Sequence, residues 1–210
     1  LGAAGAWLAA ACITFSPSLL FYSRHIRNDI YIAALTLVWA YAVLRYLEEP
    51  HPRWRALLMS VMALSFACKE VSFITGAVIG SFVVLLVLGG RRRTPARAEA
   101  ALDLAVLMLT LVLPFAAGAL FPLFGWPPVG EATRQALTGA GGLVVAGLFV
   151  VAGVAGAARF GLRPWLKLAG GFWAVQVARF TTFFTNLSGG LASGIVGSLG
   201  GVANGFPRED

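Results

Sequence analysis

Two short groups of charged residues interrupt long apolar stretches of this sequence, and their residue types suit binding and reaction of a phosphate ester. Arg24, Arg27 and Asp29 follow the first apolar stretch, with His25 between the arginines. In a helix, residues three apart share a face, and the planar forks of two guanidinium groups match the oxygens of phosphate. Asp29 is placed either to orient one arginine, to act on an acceptor, or simply to cap the next helix.

The second group, Lys69-Glu70, ends an apolar stretch of only about 13 residues, 56–68. As a helix this stretch covers about 20 Å, which is too short to cross a hydrocarbon core of ~30 Å. One interpretation places the pair below the membrane surface, where ionisable groups must face a polar cavity or a partner. The other extends the helix through Trp54 and Arg55 and tilts it, so that Lys69 reaches the surface.

The elements that must position these groups are membrane helices. The chain is 59% hydrophobic and only 12% charged, and its mean hydropathy is +0.82, whereas a soluble domain carries about 25% charged residues. The alternation typical of a membrane barrel is absent, so the spans should be helical. We therefore predict an all-α, polytopic integral membrane protein. The net charge of +7 does not indicate nucleic-acid binding, because the basic residues cluster between apolar stretches.

Seven transmembrane or partly spanning helices are predicted from the apolar stretches. They cover residues 1–21, 30–44, 56–68, 71–90, 104–124, 140–158 and 168–184. Residues 1–188 are expected to form one multi-span domain, and residues 189–210 a glycine-rich outer segment and tail. We expect the chain to be an internal piece of a longer membrane domain. Cys12 and Cys68 have no metal-ligand spacing, and no metal site is predicted.

Basic residues predict which side of the membrane each junction faces. Ten of the 16 lysines and arginines follow the second, fourth and sixth stretches. They are Arg45, Arg53, Arg55, Arg91, Arg92, Arg93, Arg97, Arg159, Arg163 and Lys167. Cytoplasmic loops carry such an excess, so the other side, with both charged groups, is predicted to face outward from a plasma membrane.

Three longer stretches contain these groups: SPSLLFYSRHIRNDIYIAA, SFACKEVSFI and ARFTTFFTNLSGGLASGIVGSLG. They resemble signatures of the flippase-activity-associated membrane proteins, which are GT-C type glycosyltransferases related to the dolichyl-phosphate-mannose protein mannosyltransferases. They occur in the family order from residue 16 to about residue 200. The resemblance implies a GT-C-like helical enzyme that takes a sugar from a polyprenyl-phosphate carrier outside the membrane.

The resemblance also implies roles for individual residues. Arg24, Arg27 and Asp29 match an SR-x-x-R-x-D element, and Lys69-Glu70 matches a T-K-E element in which Cys68 replaces the threonine. The arginines and Lys69 are expected to bind the substrate phosphate. Asp29 and Glu70 would support catalysis, because the family's main acidic pair is expected upstream of this sequence. The family pattern would continue into Tyr-Trp-x-x-Gln-His after residue 200, where this chain reads GVANGFPRED.

We therefore interpret the chain as a segment of a membrane glycosyltransferase whose partners are a polyprenyl-phosphate-linked sugar, the bilayer and an unidentified acceptor. Catalysis is expected of the full-length protein and not of this segment alone. No cofactor is predicted, and whether a divalent cation assists stays open. The alternatives are a non-enzymatic accessory or translocation protein for lipid-linked sugars, and an inactive gene fragment.

Overall fold

A computed structural model describes residues 2–15, 29–68, 72–90, 95–125 and 139–180, and every regular element within these ranges is helical. The eight α-helices in the described ranges are α1 (Ala3–Thr14), α2 (Asp29–Glu48), α3 (Pro52–Cys68), α4 (Ser72–Gly90), α5 (Pro95–Val112), α6 (Ala117–Leu120), α7 (Ala140–Phe160) and α8 (Leu162–Phe180). The single turn α6 lies between two 3₁₀ turns, Leu113–Ala116 and Phe121–Phe124, which carry α5 onward.

Four stretches in these ranges are long and apolar enough to cross a membrane. They are Ile30–Glu48, Ser72–Gly89, Pro95–Phe124 and Ala140–Phe160. The predicted class, an all-α polytopic integral membrane protein, is therefore confirmed. The number of seven spans stays a prediction.

Three helices begin four or more residues earlier than the apolar stretches predicted. α3 has 17 residues and begins at Pro52, so the predicted 13-residue segment was too short. Proline is well tolerated in the first turn of a helix, because the first N–H groups have no acceptor within the helix. At about 1.5 Å per residue, α3 covers about 26 Å. The helix thus extends through Trp54 and Arg55, as the second interpretation of this stretch required.

α5 and α8 also include charged residues that were assigned to loops. α5 begins at Pro95, nine residues before the predicted start, and takes in two acidic side chains that form ion pairs. α8 begins at Leu162, so the predicted basic loop between α7 and α8 is reduced to Gly161. The φ of Gly161 is 81°, a positive value that glycine adopts without strain, and α7 ends directly before this residue.

Helix packing gives the bundle two distinct ends. α3 packs between α2 and α8, α7 packs against α5 and α8, and α4 packs against α5. We call one end the Phe66 end, where α3 ends, α4 begins and α8 ends. The other is the Asp103 end, where α2 ends, α3 begins and α7 meets α5.

Burial is unequal among the helices. Only about a tenth of the most apolar window of α4 and a sixth of that of α7 are buried, whereas more than half of the Pro95–Phe124 window is. α3 and α8, which carry more polar residues, supply core side chains such as Met62 and Phe172. The outer helices thus present apolar side chains to lipid. None of the side chains of α1 is buried against the described residues.

Candidate functional site

Most of the predicted site residues lie outside the described ranges. Arg24, Arg27, Lys69 and Glu70 are among the residues that the structure does not describe. Asp29 is the first residue of α2, and α2 begins toward the Phe66 end. The structure does describe the two helices that flank Lys69 and Glu70 in the sequence, because Cys68 is the last residue of α3 and Ser72 is the first of α4.

An aromatic cluster surrounds the last turn of α3. The ring of Phe66 is 4.7 Å from that of Phe73, and 6.1 Å from each of Trp39, Phe115 and Phe172, measured between centroids. These rings come from α2, α4, the turn after α5 and α8. Aromatic pairs at such separations add about 0.5–1.5 kcal/mol beyond the burial of their surface. The end of α3 is therefore fixed against four other elements.

Polar side chains bond the backbone carbonyls of this same region. Ser72 Oγ donates to the Ser65 carbonyl at 2.7 Å, and Arg179 Nη1 donates to the Phe66 carbonyl at 2.8 Å. One turn deeper, Gln176 Nε2 donates to a carbonyl of α3, that of Ala63, at 2.9 Å. Carbonyls at the end of a helix lack donor partners within it, so the first two bonds satisfy groups that would otherwise be unpaired.

Several buried polar atoms near this end have no hydrogen-bond partner in the described part of the chain. They are Ser65 Oγ, Gln176 Oε1 and Trp39 Nε1, and Trp39 and Gln176 are fully buried. A buried polar group without a partner costs about 1–3 kcal/mol. Polar residues inside membrane helices are therefore expensive and are commonly functional. Two further such atoms, Arg45 Nε and Trp54 Nε1, lie at the Asp103 end, so it is the combination of these polar atoms with the nearby predicted charged residues that marks the Phe66 end as the candidate site.

An apolar cavity of about 460 Å³ opens beside the aromatic cluster. It lies between α4 and α5, from Phe73 to Val84 along α4, and Trp39 and Phe66 close it toward α2 and α3. Gly76 and Gly80 line it on α4, where the lack of a side chain leaves the space open. The volume is in the range of small-molecule sites, about 300–1,000 Å³, and the lining suits a hydrocarbon chain.

The Asp103 end carries an ion network that the sequence analysis missed. Asp103 accepts hydrogen bonds from the Tyr46 hydroxyl, at 2.7 Å, and from Arg159 Nε. Arg159 Nη2 also pairs with Glu99 at 2.7 Å. This network ties α2, α5 and α7 together. Glu99 and Asp103 are four residues apart and share a helix face, a signal that sequence reading could have used.

Two further arginines at the Asp103 end stack on one tryptophan. The guanidinium carbons of Arg45 and Arg53 lie 5.4 and 4.9 Å from the ring centre of Trp54. Each also forms a salt bridge with its own carboxylate, Glu48 or Glu49. These exposed pairs lie between the end of α2 and the start of α3. They are typical of a membrane-interface anchor, so we place the candidate site at the opposite end.

No cluster of three His, Cys, Asp or Glu residues suited to a metal ion occurs within the described ranges. The described side chains at the Phe66 end offer hydrogen-bond donors, one guanidinium group and an apolar cavity. Such a set can hold a lipid-like molecule and orient neighbouring charged residues.

Comparison with known proteins identifies the family. A family model described as dolichyl-phosphate-mannose-protein mannosyltransferase matches residues 1–117, which is more than half of the 210 residues. The chain belongs to this family. The members of this mannosyltransferase family are membrane glycosyltransferases. The resemblance inferred from the three sequence stretches is therefore confirmed at the level of the family. None of the curated proteins and none of the solved structures matches the chain.

The region that matches the mannosyltransferase family ends just after α5. It includes both predicted charged groups, the aromatic residues of α2 to α4, and Phe115. α7 and α8 lie beyond it. Gln176 and Arg179, which bond carbonyls of α3, are therefore contributed by a part of the chain that the family model does not cover.

Proposed function

We propose that this chain forms part of an enzyme that transfers a sugar from a polyprenyl-phosphate carrier to an acceptor on the outer face of a plasma membrane. The observation that carries the proposal is the apolar cavity of about 460 Å³ that begins beside the last turn of α3. The next two residues after that turn are Lys69 and Glu70. In the proposed enzyme the cavity takes the hydrocarbon chain of the carrier, and the charged pair that follows in sequence takes its phosphate.

The charged residues take the roles that their chemistry suits. Arg24 and Arg27 bind the carrier phosphate through their planar forks. Lys69 offsets the negative charge that develops on the leaving phosphate, and electrostatic stabilisation of this type commonly contributes more to catalysis than any other effect. Asp29 and Glu70 orient these cations. Membership of the mannosyltransferase family supports this assignment.

The two charged groups are expected to lie at different depths along the bundle, which supports different roles for them. Trp39 contacts Phe66, and Asp29 lies ten residues before Trp39 on α2, which is about 15 Å of helix. Cys68, in contrast, is only two residues beyond Phe66. Lys69 and Glu70 are therefore expected to lie deeper than the start of α2. In the proposed enzyme, the deeper pair faces the bond between sugar and phosphate, and the shallower arginines face the surface.

The test uses the full-length protein in lipid vesicles with a polyprenyl-phosphate mannose donor. Arg27→Ala and Lys69→Ala are each expected to lower transfer at least tenfold, because each removes a cation from a phosphate or its leaving group. Arg163→Ala is the matched control, since Arg163 is an exposed arginine of the described ranges at the Asp103 end. Normal transfer by both variants would exclude the proposed roles of these residues, whereas absence of transfer by the unaltered protein would favour a non-enzymatic role in handling lipid-linked sugars.

A further inference from the structure

Arg179 is set apart from the other basic residues of the described ranges. These ranges contain eight lysines and arginines, and the other seven lie at or near the Asp103 end. Arg179 lies at the Phe66 end, in the last turn of α8. No ion pair joins it to Glu48, Glu49, Glu99 or Asp103, the carboxylates whose side chains the structure describes. Instead it bonds a backbone carbonyl and stacks on the ring of Phe180, 5.3 Å from its centre.

The carbonyl that Arg179 binds is one that the helix itself leaves free. The last four carbonyls of a helix have no intrahelical donor, and in α3 these belong to residues 65–68. Ser72 satisfies the carbonyl of Ser65, and Arg179 satisfies that of Phe66. A cation at the end of a helix is also favoured by the partial negative charge there. Two side chains from different helices therefore cap α3.

The cap determines where the chain leaves α3. Lys69 follows Cys68 directly, and neighbouring Cα atoms are about 3.8 Å apart. Only residues 69–71 connect α3 to α4. Both ends of this short connection are held, by Arg179 on one side and by Ser72 on the other. The two hydrogen bonds thus fix the described residues from which this connection starts and at which it ends.

We propose that Arg179 is a positioning residue for Lys69 and Glu70, that it acts through the Phe66 carbonyl, and that Ser72 assists it. This inference rests on the proposed function, because it concerns the same site. Gln176 strengthens the arrangement, since it is three residues before Arg179 on the same face of α8 and bonds the Ala63 carbonyl. α8 thus contributes to the site without providing a group that reacts.

Kinetics of the full-length protein in vesicles separate this role from two others. In Arg179→Met, we expect kcat to fall about tenfold to a hundredfold, because a small displacement of a catalytic group has effects of this size. KM for the polyprenyl-phosphate sugar should stay nearly unchanged. Arg179→Lys should recover part of kcat, since it keeps one donor and the charge. Ser72→Ala should lower kcat in the same way but less.

Two results of these measurements would contradict the positioning role of Arg179, and they can be told apart. A raised KM with normal kcat would mean that Arg179 binds the donor phosphate itself, and would overturn the positioning role. A lower melting temperature with normal specific activity would make its role purely structural, with the same consequence. Arg163→Met, at the other end of α8, is the matched control and should change neither parameter.

A second measurement does not depend on sugar transfer. In a Cys12→Ala background, Cys68 is the single thiol of this sequence, so a membrane-impermeant maleimide reports on the end of α3. We expect faster labelling of Cys68 in Arg179→Met than with Arg179 intact, and an intermediate rate in Arg179→Lys. Equal rates in all three would overturn the positioning role even if transfer is normal. Absence of transfer by the unaltered protein would instead contradict only the proposed function.

Discussion

Gly156 gives a sharp test of how α7 and α8 pack. A methyl group added at Gly156 would overlap three atoms of the Trp165 indole, Nε1, Cδ1 and Cε2. Trp165 is 7% exposed, and its Nε1 donates to Thr110 Oγ1 on α5 at 3.3 Å. The indole is rigid, so Gly156→Ala must push the whole ring away and break this hydrogen bond. Both the helix pair and its contact with α5 should loosen.

The magnitude follows from three effects. Overpacking costs about 1–3 kcal/mol, and the lost hydrogen bond adds about 0.6 kcal/mol in a membrane protein. Replacing a glycine inside a helix by alanine returns about 0.5–1 kcal/mol. The net loss in free energy of unfolding is therefore roughly 1–3 kcal/mol. For a chain of this size it corresponds to a fall of about 2–12 °C in apparent Tm.

The assay is thermal unfolding of the purified protein in one detergent, with Gly153→Ala as the matched control. Gly153 is one turn away on α7, and a methyl group there would meet the same indole at 3.7 Å, an ordinary contact. Gly153→Ala should therefore leave Tm unchanged or raise it slightly. In a Trp165→Leu background, Gly156→Ala should cost much less, because the overlapping ring is gone. Equal Tm values for Gly156→Ala and Gly153→Ala would refute this packing of α7 on α8.

Two further outcomes are expected. Asp103→Asn removes the charge that pairs with Arg159 and weakens the hydrogen bond from Tyr46, so it should lower the free energy of unfolding by about 1–3 kcal/mol. Tyr46→Phe should lower it by only about 0.5–1.5 kcal/mol. Equal Tm values for Asp103→Asn and the unaltered protein would contradict the network. Gly80→Leu should fill the cavity and lower binding of a polyprenyl-phosphate donor measured in vesicles, with Gly147→Leu, in open space on α7, as a control that retains binding.

Composition alone predicted the class of this protein, and the reason is physical. A hydrocarbon core requires long apolar helices, so the four membrane-spanning stretches are visible as runs of apolar residues. The ends of the helices were less predictable. An apolar run ends where charge begins, but a helix continues as long as its charged side chains find partners or water. α5 thus begins at Pro95, with Glu99 and Asp103 already inside it.

The candidate site was predictable only in part. The sequence pointed to Lys69-Glu70 through the end of an apolar stretch. Their role stays a prediction, and the described end of α3 lies among buried polar groups. The partners of α3 were not readable, because Gln176 and Arg179 are 113 residues away in sequence from the carbonyls that they bind. Spacing rules describe neighbours on one helix. They contain no information on which distant helix packs against which face.

The polar character of α3 and α8 has a consequence for biogenesis. Neither helix is among the four stretches long and apolar enough to cross a membrane, and both carry basic residues, near the start of α3 and near both ends of α8, which make insertion of a helix less favourable. The two helices pack against each other, and two side chains of α8, three residues apart, bond the backbone of α3. We therefore expect each to enter the bilayer stably only once the other has been synthesised, so that a chain truncated before α8 would leave α3 exposed to quality-control proteases.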